Sequence, residues 1–325
     1  MSRGRRVLPW EAWLFIALAS VVLMFVASAE GFGKLPTLFT VSRSFSLLGM
    51  LAVGQALVVA AGGIDLSVGS IYGLAGVLLA ILHHLGYGFG VTLFAGLGAG
   101  CAIGLVNGLI VTKFGLRPFI ATFGMLAVVR AVAYLIQEGT IGFGAISVRG
   151  TPWTYLASGH SPLYLPPSFF ILIGFAVGAW LLLKYTRFGL QAFATGGNLN
   201  AARAVGIPVD QVRILTYVIS GALAGVAGML NVGALQSVRP FYGAGMELLS
   251  LAAVIIGGAS LAGGSASILG TMLAVVLFCV VRLGVGQMGL ALHFQHMITG
   301  LTVLLALIIT RLSARGGIAG KGLTR

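Results

Sequence analysis

Long apolar segments with very few charged residues follow one another along nearly the whole chain of 325 residues. Only 8% of the residues are charged, against about 25% in an ordinary soluble domain. A soluble protein with so few charges has too little polar surface to cover itself, so lipid must cover part of this chain. Each helical crossing of a bilayer needs about 20 apolar residues, which leaves room for roughly ten crossings and short loops. The sequence therefore predicts an all-α fold, a polytopic transmembrane helical bundle of about ten helices.

Segment length and flanking residues place the individual crossings. They are residues 13–29, 45–61, 68–82, 89–112, 119–137, 168–183, 214–235, 248–256, 267–281 and 296–310. Two glycine-rich motifs, GGIDLSVGS at 62–70 and GGASLAGGS at 257–265, interrupt the pattern, so we expect an interrupted helix at each. The motifs share five of nine positions, which suggests an internal repeat, although glycine-rich sequence also produces such matches by chance. In transporters, interrupted helices at corresponding positions indicate the substrate path.

Basic residues are concentrated in a few of the connecting segments. The chain has 19 Lys and Arg residues and a net charge of +13. If the N-terminus lies in the cytoplasm, thirteen of the 19 fall on the cytoplasmic side, as the positive-inside rule favours. We therefore expect one transmembrane domain over 1–325, with cytoplasmic segments at 1–12, 184–213 and 311–325. The positive-inside topology accounts for the excess of basic residues, so the net charge does not indicate nucleic-acid binding. We expect the lipid bilayer as a partner, and no nucleic acid.

Asp65 lies between two apolar runs, beside Gly62 and Gly63. At membrane depth a carboxylate must be paired, face water or cap a helix. The apolar pattern restarts near Ser67, so Asp65 is in position to accept backbone N–H bonds at a helix start. A capping or structural role is the favoured interpretation. A direct role on a substrate path and a role in proton coupling are the alternatives that the residues leave open.

Other polar side chains lie within or beside apolar segments, where such groups usually bond across helices or face a water-filled cavity. They are Gln55, Asn107, Arg130, Asn231 and Arg282. Interhelical hydrogen bonding is the favoured role for each of them. The two arginines can also extend towards the membrane interface.

Catalytic and metal sites have no recognisable motif in this sequence. The chain contains no G-x-x-x-x-G-K-[ST] phosphate loop, no G-x-S-x-G and no H-E-x-x-H. His293 and His296 have i, i+3 spacing, but no cysteine or acidic ligand accompanies them, so we expect no metal site. We predict that the chain is not an enzyme and has no catalytic residues. The shortage of buried acids also disfavours an ion-coupled carrier.

The segment 184–213 is the longest polar stretch that this topology places in the cytoplasm. Asn198 is in position to cap a short helix at 199–205, which would end at Gly206, before Pro208. A short exposed helix between loops can dock into a cleft of a partner protein. An ordinary connecting loop is the equal alternative from these residues alone.

Four sequence segments occur here in the same order as in one family of transport proteins. They are GQALVVAAGGIDLSVGSI, RPFIATFGML, FATGGNLNAARAVGI and LAAVIIGGASLAGGSASILGT. With them the chain resembles, over residues 45–309, the permease subunits of bacterial ABC importers for monosaccharides, of the ribose, xylose, galactose and arabinose group. The GGIDLSVGS motif is the most specific, and the related branched-chain amino-acid permeases differ around it. Residues 1–40 and 138–167 match no pattern of that group.

The resemblance implies partners that the residues alone do not show. Two permease chains, a homodimer or a pair of paralogues, would form the path. A cytoplasmic ATP-binding subunit would hydrolyse ATP, and a periplasmic sugar-binding protein would deliver the sugar. The chain itself would hold no cofactor, because ATP and Mg²⁺ belong to the ATP-binding subunit. The implied location is the bacterial inner membrane, with both termini in the cytoplasm.

The resemblance also implies roles for particular residues. In such importers a short cytoplasmic helix of the permease sits in a groove of the ATPase, which places coupling on Gly196, Gly197, Asn198, Ala202, Arg203 and Gly206. For the substrate path we expect Gln55, Gly62, Gly63, Asp65, Ser67, Asn107, Gly257 and Gly258. The alternative functions are an ABC permease for a nucleoside or another small polar solute and, with less support, an ion-coupled secondary carrier.

Overall fold

The computed structural model describes residues 9–141, 146–161 and 163–289, together with six further helical positions between 294 and 308. Over the described ranges the chain forms twelve helices and one antiparallel two-stranded ribbon, β1 (Ile146–Ser147) with β2 (Ser237–Val238). The helices are α1 (Trp10–Ser28), α2 (Leu35–Ala60), α3 (Val68–His84), α4 (Phe89–Lys113), α5 (Pro118–Ile141), α6 (Pro152–Ser158), α7 (Pro167–Tyr185), α8 (Arg187–Gly197), α9 (Leu199–Ala204), α10 (Val209–Leu235), α11 (Met246–Ile256) and α12 (Ile268–Gln287).

The predicted bundle of membrane helices is confirmed. Seven of the described helices, α1, α2, α4, α5, α7, α10 and α12, are long and apolar enough to cross a membrane, and α3 and α11 are shorter apolar helices. These helices coincide with the first nine predicted crossings. Helical structure is interrupted at both glycine-rich motifs, between α2 and α3 and between α11 and α12. The predicted crossing 296–310, apart from single positions, and the tails 1–8 and 311–325 lie outside the described residues.

Helix α2 begins at Leu35 rather than at residue 45. Thr37 and Ser42 are buried in this first part, and the Thr37 hydroxyl donates to the carbonyl of Gly31 at 3.0 Å. A hydroxyl that bonds to nearby backbone can be buried inside a bundle, so a search for uninterrupted apolar runs begins this helix too late. Helices α6 and α8 were not predicted, because both are short and lie in mixed or polar sequence.

Helix α2 lies at the centre of the bundle, whereas α1 lies at its periphery. In the apolar 18-residue window of each helix, 89% of α2 is buried and only 11% of α1. Helices α10 and α12 are largely buried, whereas only 22–28% of the window is buried in α4, α5 and α7, each of which has one face exposed. Since the exposed helices are also strongly apolar, their outer surfaces are suited to contact lipid.

Helices α4 and α10 approach each other closely along a stripe of glycines. On α4 these glycines recur every four residues and face α10: Gly96, Gly100, Gly104 and Gly108. A Cβ atom at Gly104 would overlap the carbonyl of Tyr217, and one at Gly108 would lie 2.7 Å from the Cα atom of Ile214. Glycines at this spacing permit the backbone proximity that joins helices in lipid, where the hydrophobic effect does not drive association.

Replacing Gly104 by leucine should destabilise the folded chain, because the new side chain would be directed at the backbone of α10. Overpacking costs about 1–3 kcal/mol, and a clash with backbone cannot be relieved by another rotamer. Thermal unfolding of the purified protein in detergent measures the effect. Gly98→Leu is the matched control, since Gly98 lies on the same helix, is exposed and has open space around it. Equal melting temperatures of the two variants would contradict this packing.

Candidate functional site

Both glycine-rich motifs end a helix in the same way. At the end of α2 the N–H of Gly63 donates to the carbonyl of Val58 at 2.9 Å, and Gly62 has φ +75°. At the end of α11 the N–H of Ala259 donates to the carbonyl of Val254 at 3.1 Å, and Gly258 has φ +99°. This is the Schellman cap, which favours glycine at the left-handed position. The two motifs therefore share this type of cap, but the left-handed residue is the first glycine of GGIDLSVGS and the second glycine of GGASLAGGS, so the caps are one residue out of register with the sequence match.

The carboxylate of Asp65 is fully buried between the two parts of the first interrupted helix. One oxygen, Oδ1, accepts from the backbone N–H of Ser67 at 3.0 Å and from the Ser67 hydroxyl at 2.7 Å. The other oxygen, Oδ2, accepts from the Ser220 hydroxyl on α10 at 3.2 Å. Asp65 thus stabilises the turn that leads into α3 and ties that turn to α10.

Two amide side chains complete this group of buried polar residues. Gln55 on α2 donates from Nε2 to the Asp65 carbonyl at 2.5 Å and accepts from the Asp65 N–H at 3.3 Å. Asn107 on α4 donates from Nδ2 to the Ser67 hydroxyl at 2.8 Å. We call Gln55, Asp65, Ser67, Asn107 and Ser220 the Asp65 cluster. It joins α2, the turn before α3, α4 and α10 through one carboxylate and its neighbours.

The backbone of the break is bonded further by hydroxyl groups from α5 and α10. Thr122 accepts from the Leu66 N–H at 3.1 Å, and its hydroxyl lies 3.2 Å from the Ile64 carbonyl. The Tyr217 hydroxyl donates to the same carbonyl at 3.1 Å. A backbone group left unpaired in an apolar interior is costly, so these bonds are what permit a break at this depth. Sequence reasoning missed Thr122, Tyr217 and Ser220, because a hydroxyl within an apolar helix carries no distinctive signal.

Four predicted path residues, Gln55, Asp65, Ser67 and Asn107, are therefore neighbours, and all four are fully buried. The structural role predicted for Asp65 agrees with its bonds, although the N–H that it accepts belongs to Ser67, just before the helix. The Oδ1 atom of Asn107 has no hydrogen-bond partner among the described residues. Contact of this cluster with a transported solute stays a prediction.

Asp65→Ala should destabilise the chain more than Asp65→Asn does. Alanine removes every acceptor for the Ser67 N–H and for the hydroxyls of Ser67 and Ser220, whereas asparagine retains one carbonyl oxygen. Each buried donor left unsatisfied costs about 1–3 kcal/mol, so the alanine variant should lose at least about 3 kcal/mol. Thermal unfolding in detergent compares the two variants with the parent chain. If Asp65→Ala melts at the parent temperature, the cluster does not hold the break together.

The first break also contacts the segment between α7 and α10, through a set of glycines and through Ala61, which shares a small apolar cluster with Ala192 of α8. Gly62 packs on Gly196, and a Cβ atom at Gly263 would lie 2.6 Å from the Cα atom of Gly62. A Cβ atom at Gly264 would lie 2.8 Å from the Cα atom of Gly197, and the Gly264 N–H donates to the Ala60 carbonyl at 3.1 Å. We call Gly62, Gly196, Gly197, Gly263 and Gly264 the glycine junction. It brings both interrupted helices and the end of α8 into backbone contact.

Gly257 and Gly258, the other two predicted path glycines, lie apart from this junction. A Cβ atom at Gly257 would lie 2.6 Å from the Cα atom of Thr271, so Gly257 packs directly on α12. Gly258 faces the ring of Trp10 on α1, whose Nε1 donates to the carbonyl of Ile256 at 2.6 Å. These two glycines fix the end of α11 against α12 and α1.

Helix α9 confirms the cap predicted for the segment 184–213. Asn198 Oδ1 accepts from the Ala201 N–H at 3.0 Å, and Gly206 ends the helix with φ +82°. The N–H of Ile207 donates to the carbonyl of Ala202 at 3.1 Å, which completes a Schellman cap at the C-terminal end of α9. Ala202 is buried, whereas Asn198 and Arg203 are exposed. The segment therefore presents a short, capped helix with a polar outer face.

A small group of charges lies between this helix and the ends of α4 and α10. Asp210 at the start of α10 lies 3.1 Å from Arg203 and 3.2 Å from Lys113. All three side chains are substantially exposed, so each pair contributes only about 0–1 kcal/mol. Their effect is to orient Arg203 rather than to hold the fold.

The remaining polar residues of the apolar segments have separate positions. Arg130 on α5 lies 3.7 Å from the buried carboxylate of Glu247 on α11, so these residues form an interhelical ion pair. Asn231 and Arg282 line a cavity at another part of the bundle. His293 and His296 lie outside the described residues.

Comparison with known proteins identifies relatives over most of the chain. The family model described as branched-chain amino acid transport system, permease component, matches residues 37–307. The ribose import permease protein RbsC of Escherichia coli K12 is 33% identical over 311 residues, 94% of this chain and 96% of that protein. RbsC of Bacillus subtilis 168 is 31% identical, with 91% of each chain covered. The L-arabinose transport system permease protein AraH of Escherichia coli K12 is 29% identical, over 93% of this chain and 91% of that protein. No solved structure matches the chain at a significant level.

Proposed function

The chain belongs to the family of permease components of the branched-chain amino acid transport system type, and from this we propose that it is the membrane subunit of an ABC importer for a monosaccharide. Relatives whose names state ribose or L-arabinose import are 29–33% identical over nearly their whole length. The apolar helices and the membership of a permease family both support a multi-pass protein of the bacterial inner membrane. The nearly complete coverage is what favours a transport subunit over an unrelated membrane protein.

The glycine junction is the structural observation that carries the coupling role. An importer of this kind needs a permease segment that an external ATP-binding subunit can move, and a connection from that segment to the transport helices. The capped helix α9 offers an exposed polar face, with Asn198 and Arg203 on it. Through Gly196 and Gly197 the preceding helix touches both interrupted helices. A displacement of the α8–α9 segment therefore acts directly on the two breaks.

The proposed complex contains two permease chains, identical or paralogous, which together form the path. A cytoplasmic ATP-binding subunit binds the coupling residues Gly196, Gly197, Asn198, Ala202, Arg203 and Gly206. A periplasmic sugar-binding protein delivers the solute. ATP and Mg²⁺ are bound by the ATP-binding subunit, and this chain supplies no cofactor site. Both chain termini then lie in the cytoplasm, on the side of the α8–α9 segment.

In the proposed cycle the permease alternates between two openings. Binding of ATP brings the two ATP-binding subunits together and moves the docked α9 helices with them. Because backbone meets backbone at the glycine junction, a movement of α8 acts on the breaks there without a flexible side chain in between. The movement changes the angle between α2 and α3 and between α11 and α12, which opens the path outwards. Hydrolysis of ATP returns the inward-open arrangement.

The residues Gln55, Gly62, Gly63, Asp65, Ser67, Asn107, Gly257 and Gly258 remain our proposal for the borders of the path. In this structure the Asp65 cluster is closed on itself by hydrogen bonds. Its members contact solute only in a state in which α3 and α4 separate. Asn107 is best placed to respond, since its Oδ1 atom has no partner among the described residues.

Gly196→Ala should uncouple ATP hydrolysis from uptake. The added methyl group would overlap the Ala60 carbonyl, so α8 must move away from the first break, while the exposed face of α9 stays unchanged. Overpacking costs about 1–3 kcal/mol, so the native contact between α8 and the first break is disfavoured and the uptake per ATP hydrolysed should fall. The measurement is uptake and ATPase activity of the complete importer in proteoliposomes.

Gly178→Ala is the control for the added methyl group, because Gly178 on α7 is exposed and has open space around it. It should behave as the parent chain does. A Gly196→Ala complex that melts at the parent temperature and retains full coupling would contradict the role of the glycine junction.

Uptake by the reconstituted system should require all the components. Proteoliposomes with this permease and its ATP-binding subunit, but without the binding protein, should show little solute-driven uptake. Addition of the binding protein and ATP should restore it, and dissipation of the proton gradient with an uncoupler should leave it unchanged. Robust uptake by this chain alone, or its loss with the uncoupler, would instead favour a secondary carrier.

A further inference from the structure

A cavity of about 560 Å³ lies at the end of the bundle opposite the α8–α9 segment. Its wall includes Asn231, Ala234 and Leu235 at the C-terminal end of α10, whose N-terminal end follows α9. A helix of 27 residues spans about 40 Å at 1.5 Å per residue, so the cavity and the α8–α9 segment are separated by most of the bundle. The cavity is open on one side and is of the size found for small-molecule sites, about 300–1,000 Å³.

Two arginines and no acidic residue line this cavity. Arg43 is contributed by α2 and Arg282 by α12. Among the described residues neither guanidinium forms an ion pair, and Arg43 donates a 3.5 Å hydrogen bond to the hydroxyl of Ser158. The two buried acids among the described residues have other partners: Asp65 bonds within its cluster, and Glu247 pairs with Arg130. The cavity is therefore a concentrated positive site.

An arginine within a membrane bundle is costly unless it faces water or a bound partner. Here the two arginines share one concave site, so their fields add and attract groups rich in electrons. A guanidinium presents several N–H donors in a fixed plane, which suits carboxylate oxygens and adjacent hydroxyl groups. A cationic solute, in contrast, would be repelled at the entrance.

The rest of the lining matches a polyhydroxylated solute. Asn231, Tyr72, Tyr242 and Ser44 are among the lining residues, and their side chains carry both donors and acceptors. The rings of Phe241 and Tyr242 lie edge to face, 5.5 Å apart, and present flat apolar surface to the same space. A few polar groups within an otherwise apolar wall are typical of sites that orient a small molecule.

We propose that this cavity, lined by Arg43 and Arg282, is the first solute contact of the permease and that it admits neutral or anionic polyhydroxylated solutes and rejects cationic ones. The inference rests on the proposed transport function. It adds a charge selection that operates in the permease itself, beyond whatever selection a binding protein makes.

Thiol labelling measures the charge selection directly. The two native cysteines are replaced by serine (C101S, C279S), and Ser44→Cys places an exposed thiol in the cavity. The reaction rates of an anionic and a cationic methanethiosulfonate reagent of similar size are then compared. The ratio of anionic to cationic rates at this position should exceed the ratio at Gly88→Cys by about tenfold, given the attraction of two nearby positive charges.

Gly88 is the matched reference, because it is exposed and has open space in the loop after α3. In the Ser44→Cys chain, Arg43→Gln together with Arg282→Gln should bring the ratio down to the Gly88→Cys value. The lysine replacements at both positions should retain it. Unchanged Gly88→Cys rates in each variant show that the fold is preserved. Equal ratios at the two thiols of the parent chain would overturn the proposal.

Protection by solute separates this inference from the proposed function. In the complete importer, the sugar that is taken up, from a panel beginning with D-ribose and L-arabinose, should slow the modification of Ser44→Cys. D-glucosamine, which is cationic, should not slow it. An importer that transports its sugar without any protection of this thiol would overturn the cavity as a solute contact. If no ATP-dependent uptake occurs, the proposed function fails, while the reagent ratio still decides the charge selection.

Discussion

The rest of the structure depends on how the backbone is satisfied at the first helix break. Residues 61–67 interrupt a helix in an apolar interior, where no water replaces the lost backbone bonds. Side chains from α2, α4, α5 and α10 converge there, with Gln55 and Thr122 bonded to the backbone and Asp65 orienting Ser67. Because four helices share one turn, their relative positions are fixed by the same set of bonds. A bundle without those bonds would have to close the break into a continuous helix.

Glycine supplies the second requirement, which is direct contact between backbones. Along α4 and α10 it permits close packing in lipid, and at the glycine junction it lets α8 reach both breaks. The consequences differ, since the first contact joins two continuous helices and the second joins a short exposed segment to two interrupted ones. Where α8 meets the breaks backbone to backbone, a displacement can be transmitted with little loss. This arrangement is suited to a transport subunit driven by another protein.

The two ends of the bundle have different physical characters. One end carries the glycine junction and the capped helix α9 that follows it, and the Asp65 cluster lies at the adjoining break. The other end carries an open cavity with two arginines and several aromatic and hydroxyl groups. An assembly that receives solute at one end and is driven at the other needs this difference. The glycine-rich contacts at one end and the arginine-lined cavity at the other are therefore consistent with the membership of a permease family.

The sequence by itself determined the membrane class, the helices at nine of the predicted crossings, both breaks and the cap at Asn198, because each follows from a local pattern of apolar, glycine or capping residues. It did not determine which helices are central, since α1 and α4 are apolar on all sides and have no distinct buried face. It also did not indicate that Thr122, Tyr217 and Ser220 bond to the first break, at Leu66, Ile64 and Asp65 respectively, because a hydroxyl in an apolar helix shows no partner. Only the tertiary structure brought these distant hydroxyl groups together at the break. It likewise brought together the glycines of three segments, and Arg43 with Arg282, since such contacts depend on helix packing and not on spacing along the chain.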